Sequence, residues 1–415
     1  MMMEHFTLEP LAARHGDCLL LHFGPAGSPG TILIDGGPSQ VYGQSLKPRL
    51  KQLQQNRPGG AFAIDLLIVS HIDDDHIRGV IDFTEEWRDA KTDHRPWAWP
   101  VRQLWHNSFE RIAGGSPKDV RASILSSFGA QTFPEIAEMD GDDEDRHAAL
   151  KIFASVGQGA QLRSDAELLG IPTNQGFAGL VQPGSDPADP VDFGSGLSLH
   201  IVGPLPAQID ALRQKFAAEL PKGPAASFAA YVDESVPNLS SIVILAGYKG
   251  KTMLLTGDAR GDYMLDGLDN AGLLDNGKLH VDILKMQHHG SDRNTASGFF
   301  KAVTADHYVA SASGKYENPD RETFEMLIHA RPKTDRYTIH LTGEVDAIDA
   351  LREKERAATR AEKLAKHKPA PPAWDADKHG LATLFAKAGQ EGYKFKVRTP
   401  AQGSVAIDLL DPIGF

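Results

Sequence analysis

The sequence predicts an α/β protein. Short apolar runs of strand length recur toward both ends of the chain. Several stop at a Gly, Asp or His turn, as strands do when they deliver polar side chains to one edge of a sheet. Longer charged stretches with helical character lie between them. Hydrophobic residues make up 41% and charged residues 24% of the 415 positions, enough apolar surface for a sizeable core.

Cys18–Phe23 and Thr31–Ile34 are mostly apolar, with Pro25, Gly27, Pro29 and Gly30 as the turn between them, so they read as a hairpin. A helical stretch covers Gln44–Gln54. Ile64–Val69 is a buried strand that stops at Ser70-His71. From about Asp82 to Gly196 the pattern loosens around Trp97, Trp99 and Trp105, the acidic run Asp140–Asp145 and the connector Gln182–Gly196. This region reads as an insertion or an elaborated helical layer. Strands return at Leu197–Val202, Ser241–Ala246 and Thr252–Thr256, the last two forming a hairpin through Gly247–Gly250. Val281–Met286 and His307–Ala312 follow, then a helix near Glu322–His329 and a strand-like end, Phe395–Leu410. Ala347–His367 is a charged helix, ended by Pro369, Pro371 and Pro372. Its part from Arg352 to Lys368 carries seven Lys/Arg against three Glu. That reads as a solvated face, or as a basic arm beside a polyanionic substrate.

Composition narrows the function. The formal net charge of -12 argues against bulk attraction to nucleic acid or acidic membranes, while leaving room for a local basic track. No run approaches the ~18–20 apolar residues of a membrane helix, and Met1–Pro10 lacks the basic and apolar regions of a signal peptide. The single cysteine, Cys18, reads as a small buried residue and excludes an internal disulfide. The expectation is a cytoplasmic protein with no membrane partner. A count of 17 histidines directs attention to metal chemistry.

The strongest signal is Ser70-His71-Ile72-Asp73-Asp74-Asp75-His76-Ile77-Arg78-Gly79. It follows an apolar strand directly, and a loop leaving a strand can aim alternate side chains at one metal-binding spot. The competing reading is a polar loop in which Asp74 or Asp75 caps the next helix. A cap needs one Asp, not His-x-Asp-x-Asp-His. Thr256-Gly257-Asp258 also follows a strand and taken alone could be a turn; His288-His289 taken alone could be two loop histidines. Asp140–Asp145 lacks the Gly and terminal Glu of a calcium loop. Trp97, Trp99 and Trp105 could stack on bases, but as a cluster they read as packing residues.

Asp35-Gly36-Gly37, His71-x-Asp73-x-Asp75-His76, Thr256-Gly257-Asp258 and His288-His289-Gly290-Ser291 stand in the order seen in the metallo-β-lactamase superfamily. The chain resembles in particular the metallo-β-lactamase domain of the DNA-uptake competence protein ComEC and its stand-alone relatives. Asp at the second ligand position, the His-His-Gly-Ser block, Asn238-Leu239-Ser240-Ser241 and the Arg398-Thr399 to Val405 tail carry that resemblance. It covers about 5–80, 197–345 and 396–410 and implies one domain, a four-layer αβ/βα sandwich. Residues 82–196 are then a large insertion, able to take protein partners, and 347–392 an extra C-terminal helical segment.

The resemblance implies two divalent metal ions. His71 and Asp73 would bind the first; Asp75 and His76 would bind the second, with His288 or His289. Asp258 would bridge them, and Asp35 would support the ligand loop. Asn238 stands where commoner members place a histidine, and it remains a candidate ligand. Oxygen donors in that position favour manganese or magnesium alongside zinc. The implied chemistry is attack on a phosphodiester by hydroxide held between the metals, oriented by Asp75 and Asp258. Whichever of His288 and His289 does not bind metal would contact phosphate or protonate the leaving group. Lys285 and Ser291 are further candidate phosphate contacts, with a solvent-facing strand residue as the plain alternative for Lys285. The expected activity is a metal-dependent phosphodiesterase or nuclease with nucleic acid or a phosphoester as substrate. The alternatives are a hydrolase of small phosphoesters, lactones or amides, and a degenerate metal-binding module acting through partners.

Overall fold

In the computed structural model, the described residues are 3–57, 62–108, 111–112, 157–184, 186, 188–219, 240–296, 298–400 and 405–414. The hairpin predicted near the start is present. β2 (Leu19–Pro25) pairs antiparallel with β3 (Gly30–Ile34), with Leu21 opposite Ile32. β1 (Glu4–Pro10) joins its other side. This strand is hard to read from sequence because His5, Thr7 and Glu9 look solvent-facing. All three are buried, and each has a partner: Asp411 O, Asp408, and His22 with Arg49. β4 (Leu66–Val69) and β5 (Leu104–His106) continue the sheet in parallel.

The second sheet runs β6 (Val191–Asp192), β7 (Ser198–Gly203), β8 (Val243–Tyr248), β9 (Lys251–Leu255), β10 (Leu279–Lys285), β11 (Val303–Ala310), β12 (Arg336–Leu341) and β13 (Lys394–Arg398). β9 through β13 are parallel. The chain end returns to the first sheet, where β14 (Ile407–Asp408) pairs with β1. The tail expected as one terminal strand is therefore two short strands on different sheets.

Three apolar layers account for the stacking. Phe6, Leu21, Ile32 and Ile68 of the first sheet meet Ile201, Ile244, Leu255, Ile283 and Val309 of the second. The outer face of the first sheet packs on α1 (Lys47–Asn56), α2 (Asp74–Thr92) and α3 (157–169) through Leu50, Val80 and Leu162. α4 (Pro206–Glu219) adds Ile209 and Leu212 to this layer. The outer face of the second sheet packs on α5 (Gly261–Asn270), α6 (Phe299–Ala302), α7 (Arg321–Ala330) and, beyond α8 (Val345–Ala365) and α9 (Ala376–His379), α10 (Leu381–Gln390). The result is the predicted four-layer mixed α/β sandwich.

Residues 82–196 are not separate from it at their start. α2 runs through residue 82, and β5 is a strand of the first sheet. Trp105 is buried, and Trp97 stacks on Trp87 at 5.9 Å, so these tryptophans are packing residues. Asp140–Asp145 lies outside the described residues. α8 is not a free basic arm: Arg352 is buried against Glu317 O and His379 O, Arg356 pairs with Glu317, and Arg360 donates to Pro371 O.

α2 is docked onto the turn after β3 by a pair of backbone hydrogen bonds. Gly36 N–H donates to His76 O and Gly79 N–H to Gly37 O, both at 2.8 Å. A Cβ at position 79 would stand 2.0 Å from Gly36 O. Gly79→Ala is therefore expected to lower stability by about 3 kcal/mol through backbone displacement, despite the better helix propensity of Ala. A urea melt with a midpoint at or above that of the native chain would refute this docking role.

Candidate metal centre

The site lies at the ends of β3, β4, β9 and β10, where four loops converge. The loop after β4 brings His71, Asp73, Asp75 and His76; the loop after β9 brings Asp258; the loop after β10 brings His288 and His289. Asp73 stands at the N-cap of α2, but no side chain makes a cap hydrogen bond there. The helix-capping reading of this loop is thus displaced: Asp73 Oδ2 lies 3.7 Å from His71 Nε2.

The imidazoles are gripped at Nδ1 and aimed by Nε2. His76 Nδ1 donates to Asp35 Oδ2 at 2.8 Å, and His289 Nδ1 donates to Ser311 O at 3.0 Å. Ser70 Oγ donates to Asp35 and accepts from His71 Nδ1 at 3.1 Å. Such outer partners fix the tautomer that leaves Nε2 free to bind a metal. Asp35 also accepts from Ser70 N–H at 2.7 Å, so it ties the β4 loop to β3 as a support.

The Nε2 atoms converge on Asp258. His76 Nε2 lies 3.3 Å from Asp258 Oδ1 and 3.2 Å from His289 Nε2. His289 Nε2 is 3.4 Å from Asp75 Oδ2 and 3.5 Å from Asp258 Oδ2. His71 and His288 also face this oxygen, with Nε2 at 3.8 and 3.7 Å from Asp258 Oδ2. Donors around one tetrahedral cation at about 2.1 Å are themselves separated by roughly 3.4 Å, so these spacings fit a bound divalent ion. Two orphans support the fit: His71 Nε2 and Asp258 Oδ1 are buried with no hydrogen-bond partner among the described residues.

Sequence reasoning missed Asp17, which lies between β1 and β2. Asp17, His76, Asp258 and His289 offer donor atoms all within 4.8 Å of one another. Asp17 nevertheless approaches the rings from behind, at 3.4 Å from His289 Nδ1 and 4.0 Å from His76 Nδ1. Its Oδ2, the oxygen nearer His76, pairs with Lys285 Nζ, which also donates to Gly257 O at 3.2 Å. Asp17 is therefore placed to orient the two rings, whereas Asp75 and Asp258 face their Nε2 atoms. Lys285 does not point to solvent: it is fully buried on the inner face of β10, two residues after the core residue Ile283. Ser291 is also committed, donating to Asp320 Oδ2 at 3.3 Å. Asn238 lies outside the described residues. Its neighbour Ser241 accepts the Asp258 N–H at 3.2 Å.

Electrostatics follow from this crowding of carboxylates. Burial alone would lower the His76 and His289 pKa values, but Asp258, with Asp35 and Asp75 at His76 and Asp17 at His289, holds both well above the usual range. Burial works against Asp258 ionisation, yet His289, His76 and His288 keep its pKa well below normal. His71 is driven down to about 3 by burial and by His76, so its Nε2 lone pair stays available. The centre thus carries excess negative charge that a cation would balance.

Strain is concentrated at the same place. His288 and His289 sit at φ 47° and 54°, left-handed values that cost non-glycine residues roughly 1–3 kcal/mol each. The bonds His288 N–H to Gly257 O and Ser291 N–H to His288 O hold them there. The result brings the two adjacent rings to the same carboxylate oxygen, Asp258 Oδ2.

Residues 14–149 match the family model of the metallo-beta-lactamase superfamily. The match takes in Asp17, Asp35 and the His71–His76 loop; Asp258, His288 and His289 join it through the fold. The superfamily points to a metal-dependent hydrolase, and the buried His–Asp group can hold a metal. No curated protein matches the chain. Among the described residues, no helix is long and apolar enough to cross a membrane.

Proposed function

We propose that the chain is a metal-dependent phosphodiesterase acting on nucleic acid, holding two divalent ions, zinc or manganese, with magnesium as a further candidate. His76, Asp75 and His289 would hold one ion and His71, Asp73 and His288 the other, with Asp258 shared. The observation that carries this reading is the central position of Asp258, whose Oδ1 faces His76 while Oδ2 faces His71, His288 and His289. Bound divalent ions lower the pKa of water and neutralise charge on a phosphoryl oxygen.

The chain's own residues supply alignment and charge. Asp35, Ser70 and Ser311 O fix the three rings at Nδ1, and Lys285 holds Asp17 against two of them. Asp258 and Asp75 orient the attacking group. His288, 27% exposed, is the most open of the four histidines and marks the side from which substrate would reach the ions. The oxygen-rich donor set supports the phosphodiester reading, because carboxylates favour the hard cations that pair with phosphate.

The test is cleavage of single-stranded DNA, duplex DNA and RNA by untagged protein with manganese, magnesium or zinc, beside the His71→Ala variant. Metal-dependent cleavage by the native chain and its loss in the variant are expected. Stoichiometric metal without cleavage would transfer the site to a small phosphoester, lactone or amide substrate. Neither metal nor cleavage would mark a degenerate module acting through partners.

A further inference from the structure

We infer that the basic face formed by Arg336 of β12 with Lys394, Lys396 and Arg398 of β13 is a track for a single-stranded nucleic-acid backbone, leading toward the metal centre. The inference rests on the phosphodiesterase reading for its purpose, but on separate residues for its evidence.

Register fixes which side chains share this face. Arg336 lies opposite Lys394, Thr338 opposite Lys396, and His340 opposite Arg398. Directly paired residues project to the same side of a sheet, and alternate residues to opposite sides. Tyr337 and Phe395, stacked at 5.6 Å, belong with Ile339 and Val397 to the layer under the outer helices. Arg336, Lys394, Lys396 and Arg398 therefore share the other face, and all four are exposed. Among the described residues none has an acidic partner, in a chain of net charge -12. By contrast, the basic residues Arg352 and Arg356 of α8 are paired or bonded.

The face is aligned with the site. Lys285 pairs with Val309, Val309 with His340, and His340 with Arg398 in one row across four parallel strands. Strands lie about 4.8 Å apart, so Arg398 stands roughly 14 Å from the Lys285 position beside the metal centre. Lys396 and Lys394 extend away from it at about 6.6 Å intervals along the strand. The acids around this face cluster at its other margin: Asp282 is paired with Lys251, and Asp306 lies 3.5 Å from His280. Glu344 accepts from Thr399 at the site end.

Charge complementarity selects a polyanion. The stripe is two strands wide, which suits one phosphodiester chain better than the two backbones of a duplex. His307, 3.0 Å from the buried His340, borders it, and among the described residues the stripe has no exposed Phe, Tyr or Trp for base stacking. Contacts would therefore be to phosphate, without sequence preference.

The test uses fluorescein-labelled oligothymidine and anisotropy between 25 and 300 mM KCl (concentrations on the order needed to resolve a salt slope). The protein is the full chain with Asp258→Asn to prevent cleavage, with and without Lys394→Gln, Lys396→Gln and Arg398→Gln together. The triple change is expected to weaken binding at least about tenfold and to reduce the log–log salt slope by about two. In the native background it should leave turnover of bis(p-nitrophenyl) phosphate and the melting temperature unchanged. Unaltered affinity and slope, no oligonucleotide binding at all, or tighter binding of duplex or polyglutamate would each overturn the track. Oligothymidine binding lost in the triple variant, with no diester turned over by the native chain, would keep the track and reject the phosphodiesterase reading.

Discussion

Asp258→Asn is expected to reduce metal-dependent turnover by on the order of 10²–10³-fold, with the larger part in kcat. The reasoning is geometric and electrostatic. Both carboxylate oxygens are engaged, Oδ1 toward His76 and Oδ2 toward His71, His288 and His289. Asn preserves volume and one oxygen but removes the negative charge and makes the second atom a hydrogen-bond donor facing imidazoles. The backbone anchors of residue 258, to Ser241 Oγ and Asn294 Nδ2, do not involve the carboxylate and should hold the loop in place. Steady-state kinetics with manganese would check this. Turnover within threefold of native would remove Asp258 from the reaction.

The second large effect is on stability. Lys285 and Asp17 form an ion pair in which both side chains are 1% exposed. Burial penalises both charges, but each holds the other ionised: Asp17 is kept well below the usual carboxylate range and Lys285 above its ordinary value. Removing one partner of such a pair leaves an uncompensated buried charge and typically costs about 3–5 kcal/mol. Lys285→Met should therefore be strongly destabilising, and adding Asp17→Asn should recover much of the loss. A double-mutant cycle by denaturant unfolding measures this directly. Additive losses in the double variant would show that the pair is not the unit of stability.

Much of this centre is legible in the sequence because its ligands crowd near strand ends. His71 through His76 span six residues after an apolar strand, and Asp258 and His288 each follow another. The supports are harder to see. Asp17 is one aspartate before a strand, with no repeating pattern to mark it. Ser311 contributes a backbone carbonyl, which has no residue signature. Lys285 did carry a signal: it lies two positions after the buried Ile283, so strand alternation turns it inward. β1 is obscured because its polar outer face is buried, with partners drawn from distant parts of the chain. The choice between His288 and His289 could not be read because a regular strand or helix would not bring two adjacent rings to one carboxylate oxygen. Left-handed backbone at both positions does so. The basic face of β12 and β13 is hidden for a related reason, since it forms only when Arg336 meets residues some sixty positions later.

The central claim is that one carboxylate, Asp258, is shared by two cations. Elemental analysis of manganese-loaded and dialysed protein, native and Asp258→Asn, tests it most directly. The account predicts close to two ions per native chain and no more than one in the variant. An unchanged ratio after the substitution, or a native chain that retains no metal, would contradict it.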